Sequence, residues 1–319
     1  MGKNIFKNII LFVIVLIIGS LASCTGLRKI EDGKHLFTSY TITYDSIQFL
    51  ANKNETSNEI NKLILIKPNK RFLWMRPFLS LYKMIPETKK DSGTMHWLKY
   101  KLGEPPAYYE DLNLKNINLA IENRLQNRGN FLAKSEAITK EKKKTAKVEF
   151  IIHPGKYYTL DTILFPTNDE GIELAINNLQ NKSLLKQGQI YNLKDFESER
   201  NRIESALKER GYYFFENNFL LFTADTSKGE RKVKTQLKLK AETPEEAKKA
   251  FRFNKIYIYD DYSLSNYHPD TTIIGDYYYI SQNHFFKPKT ILNAVFFSKD
   301  SLYSRKNHYN TLRHAMSLG

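Results

Sequence analysis

Between Lys232 and Lys240 two sets of side chains alternate. Val233, Thr235, Leu237 and Leu239 fall on one side, and Lys232, Lys234, Gln236, Lys238 and Lys240 on the other. A period of two with one apolar set predicts a strand buried on one face and solvated, here by cations, on the other. The chain before it reads as the rest of a unit. Tyr157 to Phe165 is rich in strand formers. Gly171 to Asn181 carries Ile172, Ala175, Ile176 and Leu179 at helical spacing, and Gly188 breaks the pattern. Leu193 to Arg210 predicts a longer helix. Phe196, Ile203 and Leu207 lie on its inner face, Glu204 and Lys208 form a favourable i, i+4 pair, and Gly211 stands at the left-handed stop. A strand is expected near Phe214 to Thr223, followed by a turn over Asp225 to Arg231. The order is strand, helix, helix, strand, strand.

The pattern recurs. Leu114, Ile117, Ile121 and Leu125 form a helical stripe closed by Gly129. Phe131 to Ile138 predicts a strand, Thr139 to Lys144 a basic turn, and Val148, Phe150 and Ile152 alternate in a closing strand that ends at Pro154-Gly155. Leu125 to Gly129 therefore corresponds to Leu207 to Gly211. A third unit opens at Phe251 to Tyr259 and reaches a helical stretch ending Ala315 to Gly319. There Thr311 and Ala315 stand where the other units have Ile and Leu. Repetition at this length predicts an α+β chain of units in series.

Composition narrows the chemistry. The 319 residues carry 49 Lys and Arg against 34 Asp and Glu, a net charge of +15, which favours anionic partners. One cysteine, Cys24, leaves no pair for an intrachain disulfide or a paired-cysteine zinc site. No two of the fourteen glycines lie closer than seven positions, which excludes the dinucleotide fingerprint, the phosphate-binding P-loop and the nucleophile elbow. No two of the seven histidines have the i, i+4 spacing of a helical zinc motif. No metal and no catalysed reaction are expected. The acidic stretch Asp260 to Asp276 fits no calcium loop and reads as a solvated insertion.

The amino terminus is an export address. Lys3 and Lys7 precede an apolar run from Ile9 to Ile18, and small residues lead to Ser23 and Cys24. Leu21-Ala22-Ser23-Cys24 looks like a bacterial lipobox. That resemblance implies cleavage between Ser23 and Cys24, a diacylglyceryl group on the thiol and an acyl chain on the freed amine. No other cofactor is expected. Thr25, rather than an acidic residue, after the cysteine implies the outer membrane, and the absence of an acidic stretch beyond it implies a periplasm-facing protein.

Strand-helix-helix-strand-strand units behind a lipobox resemble POTRA domains, the periplasmic modules of the BamA/TamA superfamily, and within it the TamL-like lipoproteins of Bacteroidota. The residues carrying the resemblance are Leu21 to Cys24, Lys67-Pro68-Asn69 with the Trp-containing insertion after it, Arg128-Gly129-Asn130-Phe131, Arg210-Gly211-Tyr212-Tyr213 and Leu318-Gly319. The expected layout is a signal peptide over 1–23, a first unit over 24–155 with an insertion at 67–111, a second over 156–242 and an incomplete third over 250–319. Family members continue into a membrane barrel. This chain stops where the last hairpin of the third unit should begin, so the region after about Ser281 is expected to be poorly packed.

The resemblance implies docking rather than catalysis. Partners would be outer-membrane lipid, unfolded outer-membrane protein clients and a TamB-like bridging protein. Export argues against nucleic acid. POTRA edges are thought to add partner strands by β-augmentation, and the strand bearing Phe219, Leu220, Leu221 and Phe222 is the candidate edge. The same four residues also suit a plain sheet core. In the insertion, Phe72, Trp74, Phe78, Tyr82, Trp97, Tyr108 and Tyr109 are interleaved with Lys70, Arg71, Arg76, Lys89, Lys90, Lys99 and Lys101. That mixture suits either a headgroup region or a packed insertion with a basic rim. The alternative for the whole chain is an inner-membrane scaffold resembling FtsQ-like division proteins, which would keep Ile9 to Ala22 as an anchor.

Overall fold

The computed structural model describes residues 30–318 apart from 73–74, 88–90, 169, 228, 265–267 and 284. Ser23 and Cys24, with the rest of the expected signal, lie outside the described residues, as do Trp74, Lys89, Lys90 and Gly319. The chain divides into two compact units, 1–157 and 158–319. The first holds one three-stranded sheet and the second holds two. Among the described residues no helix is long and apolar enough to cross a membrane.

The first unit runs β1 (Leu36–Tyr44), α1 (Lys53–Leu63), α2 (Pro77–Met84), α3 (Thr94–Trp97), α4 (Leu114–Gln126), β2 (Lys134–Lys142) and β3 (Thr145–His153). Sheet order is β1-β3-β2, with β1 parallel and β2 antiparallel to β3. The alternation in β3 turns Ala146, Val148, Phe150 and Ile152 inward, and the last three meet Ile60 of α1, Ile64 just past its end, and Ile121 and Leu125 of α4. The insertion folds around Leu79 and Tyr108, which cluster with Ile30 and Leu36. Lys99 is buried there with its ammonium over the Tyr82 and Tyr100 rings, at 5.1 and 5.5 Å from their centroids, a cation–π arrangement that offsets part of its desolvation. Phe72 and Trp97 remain exposed.

The second unit opens with the same pattern: β4 (Thr159–Leu164), α5 (Gly171–Asn177), α6 (Leu193–Lys208), β5 (Leu220–Asp225) and β6 (Lys232–Leu239), in sheet order β4-β6-β5. Again the first strand is parallel to the last. The two sheets share finer detail. Each first strand has a register shift near its start, Phe37/Ser39 and Leu160/Thr162, and each is bridged on its outer edge by the segment that precedes the second helix, Leu36 with Tyr108 and Thr159 with Ile190. The second helices are capped alike. The Asn113 side chain accepts from the Asn116 N–H and the Asn192 side chain from the Lys194 N–H. Past Leu207 the strand expected from Phe214 begins only at Leu220, because Tyr212 to Phe219 is spent on turns that drive Phe215 into the core.

The third sheet is assembled differently. β7 (Ile256–Tyr259), β8 (Asp270–Ile274) and β9 (Tyr277–Ser281) come first, and α7 (Pro288–Leu292) and α8 (Arg305–Met316) follow. Order is β7-β9-β8 with β7 parallel to β9. The acidic stretch read as a solvated insertion thus holds β8, and the hairpin stands ahead of the helices instead of after them. Tyr279 anchors this sheet. Its hydroxyl donates to the Asp260 carboxylate and to the Phe286 carbonyl (3.1 Å), and burial together with the Asp260 bond pushes the phenol up to about 12. Helix α8 is capped by Ser304 and buries none of its residues.

The Arg-Gly pairs have one job in both places. Gly129 and Gly211 adopt φ of 91° and 97°, and the residue after each sends its N–H back to the last helical turn, Asn130 to Leu125 and Tyr212 to Leu207. The arginine just before each glycine reaches the first helix of its own module: Arg128 pairs with Glu55 (2.8 Å) and Glu59 (2.9 Å), and Arg210 donates to the Ala175 carbonyl. Gly211 does more, since its carbonyl accepts from the Phe251 N–H at 2.8 Å, joining the second and third sheets of unit 2. A Cβ there would meet Leu302 Cδ2 at 2.9 Å and Ala250 Cβ at 3.1 Å. Gly211→Ala should therefore cost about 2–3 kcal/mol, read as a lowered denaturation midpoint, whereas Gly229→Ala in an open turn should cost only the backbone part, about 1 kcal/mol.

Glu199 is fully buried on α6. Burial pushes its carboxyl up, but the Arg202 guanidinium (2.7 and 2.8 Å), the Leu184 N–H (2.9 Å) and the Ser183 hydroxyl outweigh that and hold it below the ordinary value of 4.5. A depressed folded-state value stabilises the fold above pH 4.5, and that contribution is lost as pH falls through the folded-state value. Glu199→Ala should cost about 3 kcal/mol at neutral pH and flatten the acid limb of the stability profile, measured by urea titration between neutral and acid pH.

Candidate functional site

The candidate edge is real as backbone and differs from expectation in its side chains. β5 is an edge strand of its sheet and, among the described residues, pairs only with β6. Of the four residues singled out, Leu220 is fully buried in the core, Phe222 packs edge-to-face on Phe196 (5.1 Å) and Phe219 on Phe215 (5.8 Å). Phe219 belongs to the turn Asn217–Phe219 and not to the strand. Leu221 alone is exposed, at 44%. The reason is parity. Leu220 and Phe222 share the face that α5 and α6 cover, so Leu221 must take the other face.

The ladder phase says which backbone groups are free to bond outward. The Lys240 N–H donates to the Phe219 carbonyl at 2.9 Å. That bond flanks the Leu220–Leu239 pair and makes it a narrow, non-hydrogen-bonded pair, so pairs alternate from there along the register. Leu221 and Thr223 exchange bonds with β6, while the N–H and C=O of Phe222 and Ala224 point away from the sheet. The Leu220 N–H is taken by the Asn217 carbonyl. Among the described residues no strand pairs with that outer edge. Beside it, the solvated face of β6 presents Lys238 opposite Leu221 and Lys234 opposite Asp225. An extended segment laid along β5 would meet two outward donor–acceptor residues and a cationic flank.

Of the four residues that sequence reasoning singled out, Leu220, Leu221 and Phe222 lie in β5 and Phe219 in the turn before it. Ala224 carried no signal, because its outward N–H follows from register alone. Cys24 lies outside the described residues. The insertion splits between the two readings: Leu79, Tyr108, Arg76 and Lys99 are buried, and Phe72, Met95 and Trp97 are exposed.

No family model matches the chain, and no curated protein matches it. Among solved structures it is similar to POTRA domains 3–5 of BamA from Haemophilus influenzae, at 11% identity and a TM-score of 0.38, over 91% of this chain and 89% of that one. It is similar to BamA from Haemophilus ducreyi lacking POTRA domains 1–3, at 18% identity and a TM-score of 0.34, over 65% of this chain and 29% of that one. POTRA domains 1–3 of Omp85 from Anabaena match at 12% identity and a TM-score of 0.31, over 91% and 87%.

Ala224→Pro removes one outward donor without touching the β5–β6 ladder. It should change stability by less than about 1 kcal/mol, while Thr223→Pro, which deletes a ladder bond, should cost about 2 kcal/mol or more; paired thermal melts check both.

Proposed function

We propose that this chain is the periplasmic, POTRA-type part of a lipid-anchored outer-membrane protein of the BamA/TamA kind, and that it docks partners without catalysing a reaction. One observation carries the reading: a mixed sheet of order first-last-middle whose middle strand, β5, leaves Phe222 and Ala224 bonding outward beside a lysine-rich face. Backbone pairing on such an edge gives affinity with little dependence on partner sequence, which suits clients that arrive as unfolded outer-membrane strands. The lysines favour clients with acidic residues. A TamB-like protein is the second partner of this reading. The lipobox at Leu21 to Cys24 supports a diacylglyceryl anchor on Cys24, which would hold the docking edges at the periplasmic face of the outer membrane.

Two measurements in the native host test it. Intact mass and membrane fractionation should give a product that lacks residues 1–23, is heavier by its acyl chains and sits in the outer membrane; Cys24→Ala should lose both the added mass and the location. A photo-crosslinking residue at Leu221 should capture outer-membrane proteins during their synthesis, and Ala224→Pro should reduce that capture. A full-length, unmodified product in the inner membrane would replace this reading with the anchored, FtsQ-like scaffold.

A further inference from the structure

Arg76, Lys99 and Arg128 are the buried cations among the described residues. Two of them are compensated. Arg128 pairs with Glu55 and Glu59, and the Lys99 ammonium lies over the Tyr82 and Tyr100 rings. Arg76 is only 4% exposed, its Nε is buried without a hydrogen-bond partner, and among the described residues its guanidinium has no ion pair or ring contact. A guanidinium keeps its proton in proteins, so this charge cannot be discharged by titration. A buried charge with no counter-charge is strongly destabilising.

The surroundings add positive charge instead of removing it. Phe72 and Met75 exchange backbone hydrogen bonds, N–H to carbonyl at 3.0 Å in both directions. Arg71 and Arg76 flank that antiparallel pair, one on each side, so the backbone itself brings two guanidiniums together. Burial lowers the Arg76 pKa from its ordinary value, and the neighbouring Arg71 charge lowers it further. Like charges placed across such a pair repel. Arg71 is exposed and forms no ion pair among the described residues. Glu104, the carboxylate beside this segment, accepts from the Lys70 N–H (2.8 Å) and the Asn69 side chain (3.4 Å). Arg76 is also the N-cap of α2, where its side chain makes no capping bond and the first turn holds no acidic residue. The positive end of that helix adds to the two arginines.

We infer that Arg71 and Arg76 together bind a phosphate monoester group. Such a group carries close to two negative charges at neutral pH and three terminal oxygens. It can therefore face one guanidinium fork on each of two sides. A carboxylate, with one charge and two oxygens, would leave one of the arginines uncompensated. The group is the same whether it arrives as free phosphate or on a lipid headgroup. The site lies inside the insertion of the first unit and depends neither on the β5 edge nor on the docking of strands.

The test uses the full chain in dodecyl maltoside. It is titrated with sodium phosphate against sodium chloride at matched ionic strength, and with dihexanoyl phosphatidate against dihexanoylglycerol. Calorimetry reads binding and thermal melts read stability. Phosphate should bind saturably and raise the melting temperature where chloride does not. Arg71→Gln, at an exposed position, should weaken binding about tenfold or more. Arg76→Met should abolish binding and yet raise the melting temperature in phosphate-free buffer, because an unpaired buried charge gives way to an apolar side chain. A purely structural Arg76 predicts the opposite sign. Tighter binding of phosphatidate than of phosphate would support the proposal with a lipid headgroup as the source, and the reverse order would support it with free phosphate. An equal response to phosphate and chloride, unchanged affinity in both variants, or a lowered melting temperature for Arg76→Met with binding retained would each overturn it.

Discussion

Parallel pairing between the first strand of a module and its last is the constraint on which the rest of this structure depends. Parallel neighbours need a long crossover, which cannot be made by a tight turn. In the first two modules the crossover contains both helices. Closing β1 on β3, or β4 on β6, therefore draws α1 with α4, or α5 with α6, onto one sheet face, and their apolar stripes complete the core. The glycine stops and the arginines before them finish the task by fixing where the second helix ends and tying it to the first. The edges are a consequence. A sheet of order first-last-middle always leaves its middle strand with one side unpaired, and the lysines alternating along β6 keep the face beside β5 solvated.

The third module shows what happens when that coupling is changed. Its parallel pair, β7 with β9, closes through β8 before either helix has formed in the chain order. No crossover then obliges α8 to lie on the sheet. Its attachments are lateral: Lys306 N–H and the Ser304 hydroxyl to Glu209, Arg305 to Glu204, and the Phe296 N–H to the Thr311 hydroxyl. Burial in the module shifts to Tyr279 and to the segment around Ala294. The same exchange of Ile and Leu for Thr and Ala that weakened the sequence repeat is thus coupled to a different chain order. Thr311 and Ala315 of α8 instead line a cavity together with Ile256 to Asp260.

Much of the local structure was legible. The alternation in β3 and β6 appears with the inward set expected, and the helices at 114–126 and 193–208 bury the stripe residues Ile121, Leu125, Phe196, Ile203 and Leu207. The site was legible only in part. Leu220 and Phe222 are apolar because they fill the core, and the same residues drew attention as an edge; hydrophobicity cannot tell a strand's buried face from its usable side. What makes β5 an edge is which strand lies next to it, and what makes Phe222 and Ala224 point outward is a ladder phase set by one bond between Lys240 and Phe219.

The amino-acid sequence by itself determined periods and stops: where side chains alternate and where helices end at Gly129 and Gly211. These are properties of neighbours a few positions apart, governed by backbone geometry and side-chain size. Only the tertiary structure decided that first strands pair parallel with last ones, that the third hairpin precedes its helices, that β5 has an open edge and that a groove runs between β7 and α8. Each of these depends on which distant segments meet, and a local pattern that fits several partners equally well does not choose among them.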